Sequence, residues 1–151
     1  MSSTEPVSSA VPLRAPYYGA SLRISFSRFW RKYATFSGRA SRSEYWWWVL
    51  ISVIVAAISI IIGTMAGGIY GPPTAAGAST LGPGYGIYVT LSIIWGLAVL
   101  VPGLALTWRR LHDTNHSGAF YFLNLIPLVG GIITLVFVLL PPNPEGARFD
   151  K

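Results

Sequence analysis

A chain of 151 residues that is 52 % hydrophobic and only 11 % charged cannot coat itself as a water-soluble domain, because such domains carry roughly a quarter charged residues. Its apolar residues fall in long charge-free runs, the pattern of membrane-spanning helices. The net charge of +6 therefore points to lipid headgroups rather than nucleic acid, and the lack of cysteine removes disulfide frameworks and thiolate metal sites.

Residues 1–20 are rich in Ser, Pro and Ala without apolar periodicity and read as a disordered tail. They do not read as a cleavable signal peptide, since no apolar core follows a basic start. From Ser21 the character changes. Leu22, Phe26, Phe29, Trp30 and Tyr33 recur at helical spacing, with Arg23, Arg28, Arg31 and Lys32 between them. This predicts a basic amphipathic helix over 22–36, with Ser21 as N-cap and Gly38 as stop. It is too polar to span and is expected to lie in the membrane interface, basic side toward phosphates. An amphipathic helix packed on a soluble partner is the competing reading.

Gly38-Arg39-Ala40-Ser41-Arg42-Ser43-Glu44 leads into the first span. Ser41 and Glu44 fit a capping box, in which each side chain accepts the other residue's backbone N–H. A helix entering lipid needs this, because its first N–H groups otherwise lack partners. Glu44 could serve only as that cap, or could add a salt bridge to Arg109 or Arg110.

Spans are predicted over about 45–66, 85–106 and 119–140. The first opens on the aromatic belt Tyr45-Trp46-Trp47-Trp48. Ser59, Gly63 and Gly67 recur every four residues, as a helix-packing face or, for the glycines, as the helix end. The loop of residues 67–84 is charge-free, and Pro72-Pro73 and Gly82-Pro83-Gly84 argue against regular structure in it. Pro102-Gly103 is expected to kink the second span. Pro127 and Gly130-Gly131 divide the third, so that it either kinks or turns back. Asn124 is its one strongly polar residue and a further packing candidate.

Seven Lys and Arg precede the first span, none lies in the first loop, and Arg109 and Arg110 lie in the second. The positive-inside rule puts the N-terminus in the cytoplasm. Three spans would leave the C-terminus outside. The fold class is thus all-α membrane protein: a disordered tail over 1–20, then one integral domain over 21–151, with an interfacial helix before three transmembrane helices.

Arg109, Arg110, His112, Asp113 and His116 form an ionic island between apolar runs. Structurally, arginines suit the end of one helix, and Asp113 or Ser117 could cap the next. A metal site is disfavoured: His112 and His116 have only Asp113 as a further nearby ligand, among arginines. Catalysis lacks a marked nucleophile, a phosphate loop or an HExxH motif. No span carries a charge, which argues against a proton-coupled transporter.

Phe36 to Trp46 resembles the entry motif of the bacterial inner-membrane family called domain of unknown function 805, the YhaH-like proteins. Arg109-Arg110-Leu111-His112-Asp113-Thr114 with Ser117-Gly118 resembles its second hallmark, and Ile126-Pro127 with Gly130 its third. The likeness runs from about Phe26 to Phe149. The family's Gly-x-Asn-Arg-Phe-Gly ending survives here as Arg148-Phe149. The aromatics after Ser117-Gly118 start one residue later than is usual in the family, and His116 stands where it does not call for histidine. The resemblance implies a small bacterial plasma-membrane (inner-membrane) protein without an established activity.

The expected function is non-enzymatic, without cofactor or metal. Arg39, Arg42, Glu44, Arg109, Arg110, His112 and Asp113 are expected to gather at the cytoplasmic face and bind anionic lipid or a partner protein, since guanidinium forks suit phosphate and carboxylate. Two alternatives stand beside it. One is an oligomeric channel or transporter component assembled through Ser59, Gly63, Gly67 and Asn124. The other is a membrane enzyme on lipid-linked substrates using His112 and Asp113.

Overall fold

The computed structural model describes residues 11–150. Among the described residues, four α-helices, two short strands and two 3₁₀ segments follow one another, and the chain resolves into two compact units rather than one. One unit is Met1–Trp48 with Val101–Lys151, and the other is Val49–Leu100.

The first unit begins with a strap, Val11 to Ala20. The expected disordered tail is thus described only in its second half, and residues 1–10 lie outside the described residues. The strap is held by hydrogen bonds. The Arg28 guanidinium donates to the carbonyls of Val11, Pro12, Leu13 and Ala15, and the Ala20 N–H donates to Ser43 Oγ at 2.9 Å. Composition does not reveal this order, because most of the anchoring is by hydrogen bonds to backbone groups, with Pro16 and Ala20 as the buried residues of the strap.

Helix α1 is Leu22–Arg31, with Ser21 as N-cap. It stops short of 36. Lys32 turns inward, and the chain continues in tight turns from Tyr33 N–H to Trp30 O and from Thr35 N–H to Lys32 O. Its aromatic stripe is partly buried. Phe29 is buried and stacks on Trp48, with ring centroids 3.2 Å apart, whereas Leu22, Phe26 and Tyr33 stay exposed.

Helix α2, Arg42–Met65, and helix α3, Tyr85–Asp113, are each long and apolar enough to cross a membrane. At 1.5 Å per residue their 24 and 29 residues reach about 36 and 43 Å, against about 30 Å of hydrocarbon. Pro102 sits inside α3, which continues through it to Asp113.

The second unit holds no charged residue. Within it, Tyr70–Gly71 (β1) pairs antiparallel with Thr80–Leu81 (β2). The loop of residues 67–84 therefore contains a short ribbon, contrary to expectation. Pro72-Pro73 follows β1 and leaves the paired residues their N–H groups. Gly63 is a packing position within the chain: a Cβ there would lie 2.8 Å from Tyr88 Cβ. Gly67 lies past the end of α2 with φ +110°. Ser59 is buried, but its hydroxyl bonds back to Val55 O.

The third predicted span is not one helix. It is a 3₁₀ segment, Gly118–Leu125, then a break, then helix α4, Val129–Leu139, which packs back on that segment. The break is a γ-turn. Leu128 has φ 64° and ψ −51°, and the Val129 N–H donates to Pro127 O at 2.7 Å. Pro127 cannot donate to a helical ladder, which is why the run divides here. Asn124 is exposed, its amide donating to Tyr121 O, while Gly130 of α4 approaches its backbone. The C-terminal 3₁₀ turn is Pro144–Phe149.

Candidate functional site

The two ionic motifs meet within the first unit. The Ala40 N–H donates to Arg109 O at 3.0 Å, and His112 Nδ1 lies 3.0 Å from Gly38 O. Gly38 has φ +82°, and a Cβ there would sit 2.6 Å from Arg14 O. Only glycine fits where hinge, strap and α3 converge.

Glu44 is the centre of the first half of the site. The capping box is formed: the Ser41 N–H donates to Glu44 Oε2 at 2.9 Å, and the Glu44 N–H to Ser41 Oγ at 3.2 Å. The Tyr17 N–H also donates to Glu44 Oε2, at 3.1 Å. The expected salt bridge to Arg109 or Arg110 is not the one made. Arg28 Nε binds Glu44 Oε1 at 2.5 Å, and Lys32 Nζ lies 3.8 Å from the same oxygen. The amphipathic pattern predicts Arg28 and Lys32 on the face toward lipid phosphates, but both are buried. Ser25, Arg28 and Lys32 recur at helical spacing beside Phe29, and this polar stripe was the overlooked signal.

Cations outnumber anions in this interior. Arg109 is 1 % exposed, its Nε donates to Ala105 O, and its Nη2 has no hydrogen-bond partner. Lys32 Nζ also has none, because 3.8 Å is an ion pair and not a hydrogen bond. Burial pushes the Lys32 ammonium down from 10.5 to about 7, against the opposing pull of the Glu44 carboxylate.

Asp113 and Arg110 form the second half, both fully buried. Arg110 Nη1 binds Asp113 Oδ2 at 2.5 Å, its Nε donates to Val138 O at 3.1 Å, and its Nη2 to Leu140 O at 2.6 Å. One guanidinium thus neutralises an acid and caps the carbonyl end of α4, where a cation also suits the dipole. Asp113 accepts a further bond from the Tyr18 hydroxyl at 2.8 Å. That phenol is pushed up to about 12, mainly by burial and by its bond to the carboxylate.

The C-terminal turn closes the arrangement. Phe149 stacks on the His112 ring at 4.0 Å, and its carbonyl accepts the Gly38 N–H at 2.7 Å. Arg39 and Asp150 form a forked pair, with a shortest contact of 2.7 Å. The Asn143 N–H donates to Asp113 O.

Of the seven predicted site residues, six therefore point inward. Arg39, Glu44, Arg109, Arg110, His112 and Asp113 hold one another, the strap and the C-terminal turn. Arg42 alone is exposed. Arg14, Arg23, Arg31 and Arg148 are exposed with it. His116 does not join His112: it bonds Thr114 Oγ1 and packs on Phe120 and Phe137. No group of three His, Asp or Glu side chains is placed to hold a metal among the described residues.

Residues 33–151 match the family described as Protein of unknown function (DUF805). The chain is 40 % identical over 121 residues to Inner membrane protein YhaI of Escherichia coli (strain K12), covering 80 % of this chain and 87 % of that one. It is 35 % identical over 119 residues to Inner membrane protein YhaH of the same strain, covering 79 % and 87 %. No solved structure matches. The strap and α1 precede the matched segment, so Tyr17, Tyr18, Arg28 and Lys32 reach Glu44 and Asp113 from outside it. With the hinge, the ionic island and the Arg-Phe turn all inside the matched residues, the chain belongs to the DUF805 family.

Proposed function

We propose that this is a multi-pass, non-enzymatic inner-membrane protein, crossed by α2 and α3, whose charged unit sits at the cytoplasmic surface and binds anionic lipid. The relatives' names support the membrane. The distribution of charge supports the orientation: the unit Val49–Leu100 carries none, and all 11 Lys and Arg lie in the other unit.

The observation that carries the lipid reading is a division of labour among the arginines. Arg28, Arg109 and Arg110 are buried in the fold. Arg14, Arg23, Arg31 and Arg42 are exposed, with Leu22, Phe26, Tyr33 and Trp46 exposed near them in the chain. Exposed basic and aromatic side chains close together suit the headgroup layer. His112 and Asp113 are already committed to Gly38, Phe149, Arg110 and Tyr18, which favours a structural over a catalytic role. The oligomeric-channel reading loses one of its supports, since Gly63 packs inside its own chain.

The test is the partition of spin-labelled phosphatidylglycerol and phosphatidylcholine onto reconstituted protein. Each surface arginine contributes up to ~1 kcal/mol toward anionic lipid, so Arg23→Gln/Arg31→Gln/Arg42→Gln is expected to lower the preference several-fold. An unchanged preference in the folded variant would remove the lipid reading.

A further inference from the structure

We infer that the third apolar segment is a half-membrane hairpin that enters and leaves through the cytoplasmic leaflet, so that both ends of the chain share one side. The inference rests on the membrane reading above.

Both ends of the segment are anchored at the last turns of α3. At its start, Gly118 lies against the Trp108 ring, with no room for a Cβ between them. At its end, Arg110 holds the carbonyls of Val138 and Leu140. Eight residues of 3₁₀ helix at about 2 Å each reach about 16 Å. Eleven residues of α4 at 1.5 Å reach about 16 Å as well. Each limb thus covers about half of a 30 Å hydrocarbon layer, and the limbs are of equal length.

The surface of the hairpin says where it points. Phe122, Leu125, Leu128, Ile132, Val136 and Leu139 are all at least half exposed, and so much apolar area cannot face water. Its base packs on Trp108, which meets Phe122 edge-on at 6.0 Å. Trp108 precedes the arginines in α3 and so lies on their apolar side.

A turn inside hydrocarbon must satisfy its own backbone. Here Pro127 has no N–H, and Ile126, Val129 and Gly130 donate to Leu123, Pro127 and Ile126 within the turn. The chain beyond the hairpin returns to the hinge, through Phe149 O on the Gly38 N–H and Asp150 on Arg39.

The protein has no cysteine, so single cysteines report on sidedness directly. Arg23→Cys, Ser79→Cys, Leu128→Cys and Ala147→Cys are each treated with a membrane-impermeant maleimide in spheroplasts and in inverted vesicles. The expected result is labelling of Arg23→Cys and Ala147→Cys only in inverted vesicles, of Ser79→Cys only in spheroplasts, and of Leu128→Cys only after detergent. Labelling of Ala147→Cys from the side opposite to Arg23→Cys would overturn the hairpin, as would labelling of Leu128→Cys from the Ser79 side. Reversal of all sides together would overturn the cytoplasmic orientation and leave the hairpin standing. Labelling of all four from one side would overturn the membrane reading on which it rests.

Discussion

Arg110 offers the sharpest prediction. Its guanidinium is 0 % exposed and joins three acceptors: Asp113, Val138 O and Leu140 O. In Arg110→Leu the Asp113 carboxylate keeps only the Tyr18 hydroxyl as a side-chain donor, and two carbonyls at the end of α4 lose their side-chain donor. Removing one partner of a buried ion pair costs roughly 3–5 kcal/mol, and an orphaned buried acceptor roughly 1–3 kcal/mol. A loss of about 4 kcal/mol is expected, measured by urea unfolding in detergent micelles. Arg110→Lys should recover little, because an ammonium cannot reach three acceptors in the fork geometry. Arg42→Leu, at an exposed position, should change stability by less than about 0.5 kcal/mol. If Arg110→Leu and Arg42→Leu cost the same, the assignment of Arg110 to the interior is wrong.

Gly38→Ala places a Cβ at φ +82° and 2.6 Å from Arg14 O. The left-handed conformation alone costs about 1–2 kcal/mol, and displacing the strap adds to it, so a loss of roughly 2–4 kcal/mol in the same assay is expected; a neutral result would contradict the close approach. Lys32 makes stability depend on pH. Its folded value of about 7 lies below the unfolded 10.5, so between those values the unfolded chain binds the extra proton and stability rises with pH. The slope is about 1.4 kcal/mol per pH unit, and the whole window corresponds to roughly 5 kcal/mol. Lys32→Met should therefore be the more stable protein at pH 6, and its advantage should shrink toward pH 10. An advantage that is constant with pH would show that Lys32 stays fully charged.

Much of this was legible in the chain. The S-x-x-E spacing of Ser41 and Glu44 gave the capping box, because the motif is local and its geometry follows from spacing. The apolar runs of α2 and α3 were readable to within a few residues at most of their ends. The identity of the salt-bridge partners was not. Arg28 and Lys32 look like surface cations on an amphipathic helix, and only the packing of α1 beside the start of α2 brings them to Glu44. The strap was hidden for a related reason: apart from the Tyr18 hydroxyl, its hydrogen-bonding anchors are backbone groups such as the carbonyls of Pro12 and Ala15, which every residue type carries. The third segment has a span's length and hydropathy, and Pro127 with Gly130 marked a break without saying which way the chain leaves it. That choice is made by Arg110, 30 residues before Leu140, and no local pattern encodes it. Arg109 and Arg110 turn inward by the same logic, because they end a helix that buries its own end, while Arg42 stays exposed.

The claim underlying all of this is that hinge, island and tail are one body on one side of the bilayer. Arg39→Cys/Asp150→Cys, with a protease site in place of Ser79, tests it in native membranes with a short bis-maleimide. Cleavage separates the two halves, and the account predicts that they still migrate together after cross-linking. Halves that part completely, with both thiols shown to be reactive, would contradict it.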